Sequence, residues 1–245
     1  DARVSFNVLR NAIHTMQAKL ARTMPIPSAQ TIGGDWIQRD RAKQLDRFFQ
    51  GAFYSAQYQK TFPLILLDVL VFGTACVKVY FSGGKLHIER IPIFDILVSE
   101  AEARYGMPRC VYHRCYMDRS VVLATFGEDD DGLEGTAAQR KQAILTAPKP
   151  ADDDSVYMNS GRFSDQILVY EATHLASSRN ADDGRRVIAL PTGVLQVTDW
   201  SRSENAAFAF LRINAMLSGF YGPSMALELA AAQDEYDRLS EKIQL

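Results

Sequence analysis

The chain has 245 residues, 47% hydrophobic and 23% charged, which is ordinary globular usage and enough length for one large or two small cores. Lys and Arg number 27 against 29 acids, so the net charge of −2 excludes the broad basic field of a non-specific nucleic-acid binder. Three cysteines, Cys76, Cys110 and Cys115, do not make a disulfide framework, and the best apolar run, "FPLILLDVLVFGTACV", is interrupted by Asp68 and shorter than the roughly 20 residues of a bilayer span.

Phe6, Leu9, Ile13, Met16 and Leu20 recur at steps of three and four, the stripe of an amphipathic helix. Pro25 and Pro27 then force an extended connection. Asp35 is placed as the N-cap of a second helix that carries Ile37, Leu45, Phe48, Phe49, Ala52 and Ala56 inward. Thr61 and Pro63 suit the opening of a third helix over 62–72, apolar nearly all round and therefore expected to be the most buried element.

After Gly73 the period changes to alternation. Val77, Val79 and Phe81 face one way, "SGGK" turns the chain, and Leu86 and Ile88 return on the same face as a hairpin. "RCVYHRCYM" reads as a further strand, and Asp118 caps a short helix ended by Gly127. From 128 to 165 the composition turns acidic and poor in large apolar residues; apart from a short helix over 136–145, a flexible insertion is expected there. "QILVYEATHLAS", "RRVIAL" and "VLQVTDW" read as a three-stranded meander, with Asp183 and Gly184 at one tight turn. "NAAFAFLRINAM" fits a strand or a helix, and "GFYGPS" leads into a terminal helix. Gly219 and Gly222 are expected to supply unusual backbone angles at that bend, and Pro223 to start the helix, which runs uncapped to Leu245 and reads as continuing beyond it.

The expected architecture is α+β: N-terminal helices packed on an antiparallel β-sheet, a flexible acidic insertion, and a long C-terminal helix. Its segments are a helical region over 1–74, a hairpin and strand region with a short helix over 75–127, the insertion over 128–165, the meander over 166–218, and the start of a long helix over 219–245.

Walker, dinucleotide-glycine and HExxH patterns are missing, so no cofactor is assigned. "YGPSMA" lacks the second small residue of a nucleophile elbow, and Ser224 reads as a helix cap. On an alternating strand Cys110 points away from His113 and Cys115, which removes a tetrahedral metal site, so no metal ligand is assigned. The acidic runs at 129–131 and 152–154 lack EF-hand spacing and read as solvated loop faces. Trp36 and Trp200 read as core or interface anchors. Asp68, alone inside an apolar helix, needs a partner, and Arg90 or Arg114 on the sheet can supply it as a structural ion pair.

Taken in serial order, these segments resemble the tailed-bacteriophage portal proteins, or head-to-tail connectors, over roughly Asn7 to Leu245. The resemblance rests on Asp68 in a helix before Gly73-Thr74, on Glu89-Arg90 leading into a Pro, on the "YGMPR" residues Gly106, Pro108 and Arg109, on Trp200 of "TDW", on Gly219, Gly222 and Ser224 of "GFYGPS", and on Gln233. Ala75 and Asp237 stand where family members often have Gly and Asn. The resemblance implies the wing and the first stem helix of a non-enzymatic subunit in a ring of twelve copies at the capsid vertex of the virion, assembled in the host cytoplasm. Double-stranded DNA would pass through the ring without sequence recognition. The major capsid protein, a separate terminase motor and a tail adaptor would be its partners. A near-neutral chain suits such a conduit, because each neutralised phosphate would hold the DNA in place. Subunit contacts are expected on Trp36, Phe48 and Phe53 of the second helix and on Tyr221 and Tyr236. Two other classes remain: a metal-dependent hydrolase or nuclease fragment using Asp68 or the acidic loop, and a monomeric binding module.

Overall fold

The computed structural model describes residues 6–104, 108–128, 133–149, 165–201, 207–214 and 219–244. The chain divides into two compact units, Asp1–Ile93 with Ala207–Leu245, and Phe94–Ala206. The class is α+β as expected, but the strands form two antiparallel sheets, one in each unit.

In the first unit, α1 (Val8–Ala21) starts on Asn7, whose side chain accepts from the Arg10 N–H. Its buried contact is Ile13. Helix α2 (Trp36–Ser55) starts on Asp35, whose carboxylate accepts from the Trp36 N–H at 2.6 Å. No residue of α2 is buried, so the inward stripe expected of it is only partly covered, and Ile37, Leu45 and Phe48 are exposed. The periodicity is real, but among the described residues the main cover of α2 comes from α3 (Tyr58–Phe72) and a neighbouring strand.

Helix α3 starts one turn earlier than Pro63 suggests, after Gln57 in the left-handed region. Pro63 therefore lies past the first turn and forfeits one backbone hydrogen bond. Burial of Phe62, Ile65, Leu66, Val69 and Leu70 offsets that loss and makes α3 a core element. Strands β1 (Thr74–Ser82) and β2 (Lys85–Ile91) form the expected hairpin with Val79 opposite Ile88 and Phe81 opposite Leu86. Gly83 and Gly84, both at positive φ, make its two-residue turn. The ambiguous segment is a strand, β8 (Phe208–Arg212), which pairs with β1 with Thr74 opposite Arg212. Ile65 and Val69 pack on Ala75 of β1, with Tyr58 and Val77 beside them. The unit ends in α7 (Met225–Gln244), which lies against α1 and α3.

The second unit carries the sheet order β3 (Ile96–Val98), β4 (Cys110–Asp118), β5 (Gln166–His174), β6 (Arg185–Leu190) and β7 (Gly193–Asp199). The strand at Cys110 thus belongs with the meander and not with the first hairpin. Between β5 and β6 the structure has a longer connection than the expected tight turn: Asp183 accepts from the Ser177 N–H at 2.7 Å, and Gly184 O from the Trp200 N–H.

Short helices α4 (Glu100–Ala103), α5 (Arg119–Phe126) and α6 (Ala137–Thr146) complete the unit. Asp118 caps α5 as expected, and Thr136 with Gln139 forms a capping box on α6. Within the stretch read as a flexible insertion, residues 133–149 are packed. Ile144 and Ala147 join Val122, Ile167, Val169 and Leu195 in one core. Buried Arg140 donates to the carbonyls of Phe126, Glu128, Glu134 and Gly135, and Arg119 to those of Leu145 and Ala147. A stretch with few apolar residues is thus ordered by guanidinium groups that satisfy its loop carbonyls, which composition alone does not count. The acidic runs 129–131 and 152–154 lie outside the described residues, as does Gly106.

Candidate functional site

The residues singled out in the first unit lie on the C-terminal part of α3, on the hairpin that follows it and along α7. Asp68 faces β2 from the middle of α3 and is 2% exposed. Its two oxygens accept from Arg90, Oδ1 from Nη2 at 2.6 Å and Oδ2 from Nε, a bidentate pair that locks the helix to the hairpin. Of the two cations expected for Asp68, Arg90 is therefore its partner; Arg114 lies in the other unit, 3.6 Å from Asp95. The neighbouring Glu89 accepts from the Tyr80 hydroxyl at 2.5 Å on the exposed side of the hairpin.

Gly73 ends α3 at φ 79 and lies against the segment that opens α7. A Cβ on Gly73 would meet Gly222 O at 2.1 Å, and one on Gly222 would meet Asn214 O at 2.6 Å. Gly219, at φ 115, does take the unusual backbone angle expected of it. Gly222 is not among the described residues of positive φ; it is small because two backbone segments pass close by.

Fully buried Thr74 completes the junction, its Oγ1 accepting from the Gly222 N–H at 2.8 Å across 148 residues of sequence. Arg212 lies over the Phe220 ring at 4.3 Å, and burial pulls its guanidinium down from its ordinary value. The Ser224 Oγ accepts from the Leu227 N–H at 3.0 Å, so Ser224 is the cap of α7, as its reading against a nucleophile required. Gln233 then fastens α7 to the opening of α1: Oε1 accepts from the Leu9 N–H and Nε2 donates to Phe6 O.

The expected contact residues separate into two kinds. Trp36 and Phe48 are exposed on α2 (75% and 62%), and Tyr236 is exposed on α7. Phe53 and Tyr221 are half-buried, with Phe53 edge-on to Tyr58 at 4.9 Å and Tyr221 edge-on to Phe220, so their rings are spent largely inside the chain.

In the second unit, Pro108 is fully buried and Arg109 O accepts from the Leu175 N–H; the Trp200 backbone closes the β5–β6 connection. The sequence reading passed over a charged cluster here. Glu171, 5% exposed, accepts from Arg186 at 2.8 Å and faces His113 Nδ1 at 3.4 Å. Alternation carries the signal for it: Ile167, Val169, Glu171 and Thr173 share the buried face of β5, and a carboxylate in that series needs partners.

The cysteines are buried or half-buried, and burial pushes the Cys76 thiol up to about 12 from its ordinary 9.0. A folded thiol that holds its proton this tightly stabilises the fold below pH 9, and that contribution is lost as pH rises from about 9 towards 12. Native protein at pH 8 is therefore expected to leave Cys76 unmodified by iodoacetamide while urea-unfolded protein labels it, as read by peptide mass mapping. Native labelling of Cys76 at the unfolded rate would contradict its burial.

Among the described residues no group of three or more His, Cys, Asp and Glu side chains is placed to hold a metal ion, and no helix is long and apolar enough to cross a membrane. No protein-family model matches the chain, and a search of the curated proteins finds no match.

Proposed function

We propose that the chain is a structural subunit of a ring-shaped viral portal, through which double-stranded DNA enters and leaves the capsid and to which the tail is joined. One observation carries this reading. Of the residues that carry the resemblance, Asp68 ties α3 to the hairpin through Arg90, Gly73 and Thr74 meet Gly222 at the opening of α7, Ser224 caps that helix, and Gln233 fastens it to the opening of α1. These ties hold the start of the outgoing helix in place, which supports a stem that must keep its angle to a ring axis. The ring needs head-to-tail surfaces that close after a fixed rotation. Capsid protein, terminase motor and tail adaptor are the other partners this reading assigns.

The hydrolase reading draws nothing from Asp68, because both of its oxygens are taken by Arg90, and a general base needs a free lone pair towards substrate. The test is the mass of the full-length encoded protein, by native mass spectrometry and electron microscopy under assembly conditions. A closed particle of about twelve copies is expected. A strict monomer at micromolar concentration would overturn the proposal.

A further inference from the structure

The first unit leaves two helical faces bare, and they are complementary. On α2, Ile37, Arg41, Gln44, Phe48 and Gly51 follow one another at steps of four and three, so they form one line along the helix, and all five are exposed. Gly51 is the informative member. It sits inside the helix without positive φ, a Cβ added to it meets nothing within 4 Å, and Gly in such a position weakens a helix relative to Ala. Nothing within one copy requires it, whereas a second helix crossing there would.

On α7, Ala232, Tyr236, Leu239 and Ile243 form the matching line, also exposed, with Ile243 at 84%. The charges beside the two lines are opposite. At helical spacing Arg41 and Arg47 stand at the α2 line against Asp40, while Arg39, Lys43 and Asp46 are turned away from it, Asp46 towards the Ala29 N–H at 2.6 Å. At the same spacing Glu228 and Glu235 flank the α7 line against Lys242, with Glu235 also 3.8 Å from Arg238, while Asp234, Asp237 and Glu241 are turned away from it. Within one copy α2 packs on α3 and β2, and α7 on α1 and α3. Pairing like faces would set charges of one sign together. Pairing unlike faces would set Ile37 and Phe48 of one copy against the apolar line of the other, with Arg41 and Arg47 towards Glu228 and Glu235, and it is heterologous, as ring closure requires.

We propose that the bare face of α2 in one copy receives the Ala232–Ile243 face of α7 from a second copy, with Gly51 as the point of closest approach. This rests on the ring reading above and names the contact that builds it.

Full-length Gly51→Leu is expected to keep the wild-type circular dichroism and melting temperature while its yield of closed rings falls at least tenfold. Arg41→Glu/Arg47→Glu is expected to lose rings to the same extent, and the further changes Glu228→Lys/Glu235→Lys to restore them. Wild-type ring yields from both α2 variants would overturn the pairing, leave this face to a different partner, and leave the portal reading standing because rings still form. A wild-type protein that never assembles would remove both. Loss of rings by the α2 reversal with no recovery in the fourfold variant would assign α2 to the interface but overturn α7 as its occupant.

Discussion

Arg90→Leu is expected to destabilise the first unit by about 3–5 kcal/mol, because it strands a carboxylate inside an apolar helix. The pair is unequal in exposure, the Asp68 side chain at 3% and that of Arg90 at 35%. Losing the cation leaves Asp68 no route to water; losing the acid lets the guanidinium turn outward. Asp68→Asn is accordingly expected to cost less, about 1–3 kcal/mol, since its Oδ1 can still accept from Nη2. Replacing both partners, as Asp68→Leu/Arg90→Met, is expected to recover most of the loss, because a buried ion pair exchanged for apolar side chains of similar volume is often close to neutral. Urea midpoints at constant slope measure the three effects, and hydrogen exchange at the α3 amides assigns them to this unit. An Arg90→Leu protein within about 0.5 kcal/mol of wild type would show that the pair is not what holds α3 on the hairpin.

That ion pair was legible in part from sequence. A lone Asp among Leu, Val and Ile residues at helical spacing must be buried, and a buried carboxylate must be paired; only the choice between Arg90 and Arg114 needed coordinates. The same local logic reached the Asp35 and Asp118 caps and the register of the β1–β2 hairpin, all of which depend on residues a few positions apart. It did not reach the division into two sheets. Strand β8 pairs with β1 and not with the nearer meander, and alternation tells which residues share a face but not which strand lies alongside.

Helix α2 shows a different limit. Its amphipathic pattern predicts Ile37, Leu45 and Phe48 to face inward, yet all three are exposed and no residue of α2 is buried, so a periodicity that normally reports a core here reports a surface. Gln233 and Thr74 were picked out for their place in a motif order. Their physical work, bonding Phe6, Leu9 and Gly222 from far along the chain, has no local signature at all.

The glycine contact between α3 and the start of α7 gives the second large effect. Gly73→Ala is expected to cost about 3 kcal/mol or more. Its φ of 79 is one that L-residues enter at a cost of about 1–2 kcal/mol. The new methyl would also sit 2.1 Å from Gly222 O, so one of two backbone segments must move. Gly222→Ala lacks the dihedral penalty but meets Asn214 O at 2.6 Å, and it is expected to cost less than Gly73→Ala for that reason. Thr74 gives the chemical control. Thr74→Val keeps the shape but leaves the Gly222 N–H without its acceptor, at about 1–3 kcal/mol, while Thr74→Ser keeps the oxygen and should lose only the packing of one methyl. If the junction sets the direction of α7, the Gly73 and Thr74→Val changes should also free α7 amides to exchange faster than those of β2, whose pairing with β1 does not involve it. Equal loss of protection in both elements would mean that the contact only stabilises the unit and does not orient the helix.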